Sequence, residues 1–277
     1  MTRPRVSVCI PTYNGEQHLA ETLDSVFAQT FDNFEVVVAD DCSTDKSVDT
    51  VSRYGDRIRV LRSERTLGPV ANWNRVIAES TGEQVKLMHQ DDRLRPHCLE
   101  RQVDALDKHP GAAVVACRRT IIDGDGRTLL ANRGWGGAKG EVDAATVRRA
   151  LVRAGTNLLG EPSAILFRRS AFDAARGFTD GRSYTVDIDL WVRLLDYGTL
   201  VYLPEPLCDF RVTTTSWSAR LSRRQAAEGR AWVRELARGS NDASGTDVAS
   251  GLAGATALAW GRRLLYRAAR VRASMQS

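Results

Sequence analysis

The chain has 277 residues, 26% charged and 43% apolar, with 22 glycines, 8 prolines and a formal charge of +5. That length buries one sizeable core with an appendage, and the balance excludes disordered, collagen-like and disulfide-framework classes. Twelve basic and four acidic residues lie from Arg211 onward, against 27 basic and 30 acidic before it, so a faintly acidic body carries a basic tail and no nucleic-acid grip is expected of the whole fold.

An apolar, β-branched run at 6–10 predicts a strand, followed by a helix on which Leu19, Leu23, Val26 and Phe27 recur at helical spacing. Residues 34–40 read as a buried strand that ends in Asp40, Asp41, Cys42, Ser43, Thr44 and Asp45. A polar helix over 46–54, a strand at 57–61, a helix over 69–80 and a strand at 84–88 follow. Strands alternating with helices predict right-handed crossovers, hence an α/β fold with a mostly parallel, doubly wound sheet covered by helices on both faces.

After Asp91 and Asp92 the pattern changes. A helix over 96–108 precedes a strand at 112–117 and a β-hairpin over 119–131 that turns at Asp-Gly-Asp-Gly. A glycine-rich loop around Trp135, a helix over 143–153, a strand at 164–167, a helix over 187–198 and a strand at 199–205 complete the body. Residues 217–238 and 251–272 read as two terminal helices joined by a polar loop. The division is a body at 1–212, with halves 1–95 and 96–212, and a basic helical extension at 213–277.

The five cysteines form no CxxC pair, which reads as reduced core thiols. The apolar stretch before Pro11 is too short for a signal peptide. The longest uncharged run after Asp247, 248–261, would make a helix about 21 Å long, short of the ~30 Å hydrocarbon core. A cytoplasmic protein is expected, one that touches the inner face of a membrane without crossing it. The last helix places Trp260, Leu258, Leu264, Leu265 and Val271 on one side and Arg263, Arg267 and Arg270 on the other. Such a helix suits an anionic membrane, or packing on the body or on a second copy of the chain.

Three polar clusters, 11–15, 40–45 and 89–92, follow predicted strands, where a doubly wound sheet binds its ligands. Carboxylates converging from separate strand ends repel unless something positive fills the crevice. A divalent cation, Mn2+ or Mg2+, bridging a diphosphate meets that need with oxygen ligands. No G-x-G-x-x-G follows the first strand, and no P-loop, H-E-x-x-H or G-x-S-x-G occurs, so dinucleotide, P-loop, zincin and hydrolase readings lose their support.

In order along the chain, VSVCIPTYNG, FEVVVADDCSTDKS, LGPVANWN and MHQDDRL resemble the nucleotide-binding half of the family-2 glycosyltransferases, which have the GT-A fold. EPSAILFRRSAF, DIDLWVRLLDYG and YLPEPLCDFRV extend the resemblance over roughly residues 5–212. It implies an inverting transferase that uses a nucleotide sugar, with a UDP-sugar favoured, and a glycan, lipid-linked or small-molecule acceptor. It also implies that Pro11, Tyr13, Asp41 and Asp91 bind the nucleotide sugar, with the Tyr13 ring on the base and the Asp41 carboxylate at its edge. Asp91 and Asp92 fall on the metal motif, and Asp187 on the catalytic base.

Two positions depart from the family pattern. The usual Asp-x-Asp reads His89-Gln90-Asp91, and the usual Glu-Asp reads Val186-Asp187. These departures leave open a non-catalytic module that binds nucleotide sugar. A nucleotidyltransferase is a third reading, disfavoured because Pro11-Thr12-Tyr13-Asn14-Gly15 lacks a basic phosphate loop. Among weaker signals, Trp135 reads equally as a lid residue or as loop packing, and Glu161 as an acceptor-side acid or a turn acid. Asp189 reads as a first-turn acid, Trp73 as core, and Arg211 as a cation near the diphosphate.

Overall fold

The computed structural model describes residues 3–213, 225–239 and 242–274, with side chains up to residue 261. Strands β1 (Val6–Thr12), β2 (Phe34–Asp40), β3 (Ile58–Arg62) and β4 (Gln84–Leu87) alternate with helices α1 (Leu19–Phe27), α2 (Ser47–Ser52) and α3 (Pro69–Ala78). β1 and β2 carry near-continuous apolar runs because both faces are covered, whereas β3 is an edge strand and largely exposed. Val8, Ile10, Val36 and Val38 pack on one face with Leu19 and Leu23, while Cys9, Val37 and Ala39 pack on the other with Trp73, Val76 and Ile77. The parallel pairings β3–β2–β1–β4 follow from these crossovers.

Beyond β4 come β5 (Arg93–Leu94), α4 (Cys98–Lys108), the hairpin of β6 (Ala112–Ile122) and β7 (Thr128–Arg133), β8 (Gly140–Val142) and α5 (Ala144–Ala154). Then follow β9 (Ile165–Arg168), α6 (Arg169–Ala174), α7 (Val186–Leu194), β10 (Thr199–Arg211), α8 (Gln225–Arg238) and α9 (Gly245–Ser274). Among the described residues one ten-stranded sheet runs β3–β2–β1–β4–β9–β6–β10–β5, with β7 on β6 and β8 on β10. The sheet is more mixed than strand–helix alternation predicts. β9 lies antiparallel between β4 and β6, and β5, β7 and β8 are antiparallel to their partners. Because β9 reverses direction twice over, β4 and β6 still point the same way, and β10 runs parallel to β6. The ends of β1, β2, β4, β6 and β10, together with the start of β9, therefore share one edge.

The expected strands at 112–117 and 119–122 are one strand, and 199–205 extends to Arg211. Helix α7 stops at Leu194, short of the expected Gly198. Cys9, Cys98, Cys117 and Cys208 are buried free thiols and Cys42 is half-buried and free.

The terminal helices pack on the body. Helix α9 lies against α5 and α8, and the contact is made by small residues. A Cβ on Gly251 would overlap the Val152 carbonyl, and one on Gly155, the left-handed residue that ends α5, would overlap the Gly251 carbonyl. Ala255 and Ala259 are buried along the same seam while Trp260 is 61% exposed. The close backbone approach uses the Gly–Ala side of the helix. The side chains of the expected apolar and basic residues from Arg263 to Arg272, and the expected helix start at 217–224, lie outside what is described. Among the described residues no helix is long and apolar enough to cross a membrane.

Candidate functional site

The shared strand edge carries two loops after β1 and β2 that are tied to each other. The Asn14 N–H donates to Ser43 Oγ at 3.0 Å, Gly15 N–H to Ser47 Oγ at 2.8 Å, and Thr44 N–H to Asn14 Oδ1 at 2.9 Å. Tyr13 stands on this platform with half its surface exposed, and its backbone N–H and C=O are both held by the Gln90 amide. Its ring is free to cover a planar ligand. Pro11 is buried in β1, in register with Ala39.

Asp41 is buried, and its two carboxylate oxygens accept from Leu67 N–H at 2.7 Å and Gly68 N–H at 3.0 Å. It therefore fixes the loop before α3, and each oxygen keeps one further lone pair. Its neighbour Asp40, in the same polar cluster, accepts from Ser43 N–H through Oδ2 and leaves Oδ1 buried without a hydrogen-bond partner.

After β4, donor atoms of His89, Asp91 and Asp92 lie within 4.8 Å of one another. Asp92 Oδ1 accepts from the Arg211 N–H at 2.9 Å, while Oδ2 has no hydrogen-bond partner and lies 3.9 Å from His89 Nδ1. Burial pushes the Asp92 carboxyl well above the usual carboxylate range, and the negative charge of Asp91 adds to it. Burial also lowers His89, favouring the neutral ring. An orphaned buried carboxylate oxygen, a second carboxylate and a neutral imidazole fit a divalent cation.

A cavity of about 330 Å3 opens beside this cluster and is lined by His89, Arg119, Asn157, Glu161 and Asp187 at its polar end. Leu129, Leu130, Phe210, Trp232 and Leu258 form its apolar wall. Asp187 sits in the first turn of α7, where Oδ1 accepts from Ile188 N–H at 2.7 Å and Oδ2 meets Asn157 Nδ2 at 3.4 Å. Burial pushes Asp187 up to about 7, and the charge of Glu161 adds to it, against the Ile188 N–H and Arg119. Glu161 faces Arg119 at 2.5 Å on the loop entering β9, and Gly160 C=O of that loop accepts from Trp191 Nε1 of α7 at 3.1 Å. The structure thus brings Asp187 to the same cavity as His89. Val186, where the family has an acid, is buried in the core.

Several weaker readings resolve. Arg211 is not a free cation: only 1% exposed, it donates to Glu21, Asp91 C=O, Asp123 C=O and Gly124 C=O. The Trp135 ring packs edge-on to Tyr202, whose hydroxyl accepts from the Trp135 backbone N–H at 2.6 Å. Asp189 binds Arg182 at 3.2 Å and Arg193 at 3.0 Å, a first-turn acid as read. Trp73 is core, with one face on the cavity. Sequence reasoning missed the Arg119–Glu161 pair and the contribution of the terminal helices to the cavity wall. Neither carries a local signal, because the partners are 42 residues apart or belong to a segment read as an appendage.

The chain matches the Glycosyl transferase family 2 profile over residues 7–175. EpsE of Bacillus subtilis, named as a glycosyltransferase, is 29% identical over 227 residues, 78% of this chain and 76% of that one. Among solved structures, Staphylococcus aureus TarS 1–349 in complex with UDP-GlcNAc matches with a TM-score of 0.66 at 20% identity, over 86% of this chain and 67% of that one. The mannosyltransferase PcManGT of Pyrobaculum calidifontis, in complex with GDP-Man and Mn2+, matches with a TM-score of 0.62 at 20% identity, over 100% of this chain and 85% of that one. At these identities the likeness establishes the GT-A fold.

Proposed function

The chain belongs to the family-2 glycosyltransferases, and from that premise we propose that it moves a sugar from a nucleoside-diphosphate sugar to an acceptor hydroxyl by single displacement with inversion. The observation that carries this reading is the placement of Asp187 on one cavity with His89, beside the Asp91–Asp92 carboxylates. Asp187 takes the acceptor proton as the hydroxyl oxygen bonds to the anomeric carbon and the bond to the diphosphate breaks. His89, Asp91 and Asp92 would hold a divalent cation, Mn2+ or Mg2+, which when bound neutralises charge on the departing diphosphate. Tyr13 covers the base, and the remaining lone pairs of Asp41 face its edge.

A UDP-sugar is favoured because a uracil N–H donor suits a carboxylate acceptor. The neighbouring structures hold UDP-GlcNAc in one case and GDP-Man in the other, so the nucleotide is the part of the proposal most open to test. The acceptor is a glycan, a lipid-linked glycan or a small molecule that enters by the apolar wall. Peripheral attachment to the inner face of a membrane is supported by the exposed Trp260 and the basic excess after Arg211.

The test is turnover of a panel of UDP-, GDP- and dTDP-sugars with Mn2+, read by nucleotide release and by the anomeric configuration of the product. Inverted product with nucleoside diphosphate release is expected. Retained configuration would overturn the mechanism, and released pyrophosphate would point to a nucleotidyltransferase. Tight binding without transfer or hydrolysis would point to a binding module.

A further inference from the structure

Three consecutive backbone N–H groups, those of Ser183, Tyr184 and Thr185, converge on one carboxylate oxygen, Glu228 Oε1, at 3.0, 2.6 and 2.9 Å. The Thr185 hydroxyl donates to the same oxygen at 3.2 Å. Glu228 belongs to α8, in the segment that follows the body of the fold, 43 residues from Thr185. Successive N–H groups aimed at one point make an anion-holding concavity. Thr185 is the residue before α7 and makes no side-chain cap of its own. Glu228 therefore does from another helix what an N-cap side chain does locally, and Asp187 stands in the turn that begins there.

The same loop is tied to α7 and α8 a second time, through Arg182. Gly181 has φ +97 with open space around it, and the neighbouring Arg182 is itself held by Asp189 of α7 and Glu235 of α8, the latter at 2.5 Å. Residues 183–188 line the cavity on their other side. We infer that Glu228 is a positioning residue for transfer: it fixes the 183–185 backbone and thereby sets where the Asp187 carboxylate stands relative to the acceptor hydroxyl. The inference rests on the reading of Asp187 as the base.

The test is steady-state kinetics and donor binding for Glu228→Ala, Glu228→Asp, Glu228→Gln, Asp187→Asn and Asp247→Asn in the full chain. Glu228→Ala and Glu228→Asp, which remove or withdraw the oxygen, should lower kcat by about 100-fold, the cost of misplacing a reacting group by about 1 Å. Donor KM and donor Kd should stay within about two-fold, and Glu228→Gln, which keeps an acceptor oxygen, should restore most of kcat. Asp247→Asn disturbs the start of α9 and its pairing with Arg149. It should lower Tm without lowering kcat per folded molecule. If both Glu228→Ala and Glu228→Asp keep wild-type kcat per folded molecule while Asp187→Asn is inactive, the positioning role is wrong and the base stands. If Asp187→Asn transfers normally, the base assignment itself is wrong. Should Glu228→Ala fail to fold, Glu228→Asp against Glu228→Gln decides the matter, and equal kcat in those two overturns the inference.

Discussion

The two ends of the crevice are built in opposite ways. The end around Tyr13, Asp41 and Asp91 is made of short loops that directly follow β1, β2 and β4, adjacent strands of one parallel block. The end around Asp187 is assembled from the loop before β9, the start of α7 and helices α8 and α9, which are distant in sequence and meet only in the fold. The first end is specified by where strands stop. The second is specified by contacts between side chains and backbone that no local pattern announces. Strand-end loops can thus stay legible in a sequence while the other side of the same sheet varies.

The sharpest way to break this comparison is to remove the proposed base. Asp187→Asn should reduce kcat by about 10^2- to 10^4-fold, the usual contribution of a general base, with donor Kd unchanged by calorimetry. In the wild type, kcat should rise as pH passes through about 7, because the carboxyl must lose its proton to act and burial holds it up to about 7. A kcat flat between pH 5 and pH 9 would count against the assignment.

At the opposite end, Asp92→Asn should weaken metal-dependent donor binding by at least about 100-fold, the upper range for groups that merely support metal ligands. Thermal shift with a nucleotide sugar, with and without Mn2+, reads this directly, and an unchanged Mn2+ response would remove Asp92 from the metal set. Tyr13→Ala should raise donor Kd by about ten-fold, within the ~1–3 kcal/mol that a base–aromatic stack contributes, and leave kcat alone. A change in kcat without a change in Kd would blur the division between the two ends.

The smallest effect concerns stability. The folded pKa of Asp187 lies above its unfolded value near 3.8, so the folded state binds more protons between the two. Its contribution is therefore lost as pH rises through that window. Asp187→Asn should accordingly raise Tm at pH 8 and leave it unchanged at pH 3.5, as seen by calorimetry. A lower Tm at pH 8 would mean that the ionised carboxylate is welcome in the fold.

How much of this was legible varies with range. Apolar runs located β1 and β2 because both are covered on both faces, and the polar clusters at strand ends located His89, Asp91 and Asp92. The antiparallel direction of β9 was not legible, since a short apolar run reads alike in either direction. Nor was the role of Arg211, whose partners lie as far as 190 residues away, or of Glu228, which looks like any charged residue on a helix. The tail at 213–277, read by its charge as a matter of location, also supplies Trp232 and Leu258 to the cavity wall.

The buried guanidinium of Arg211 sets an order of events during synthesis. Its backbone N–H holds Asp92 and its side chain holds the Asp91 carbonyl, yet it emerges 119 residues after Asp92. A nascent chain that has completed β1 to β4 carries both motif carboxylates but lacks the strand that anchors them. Those two contacts form only once β10 is laid beside β6.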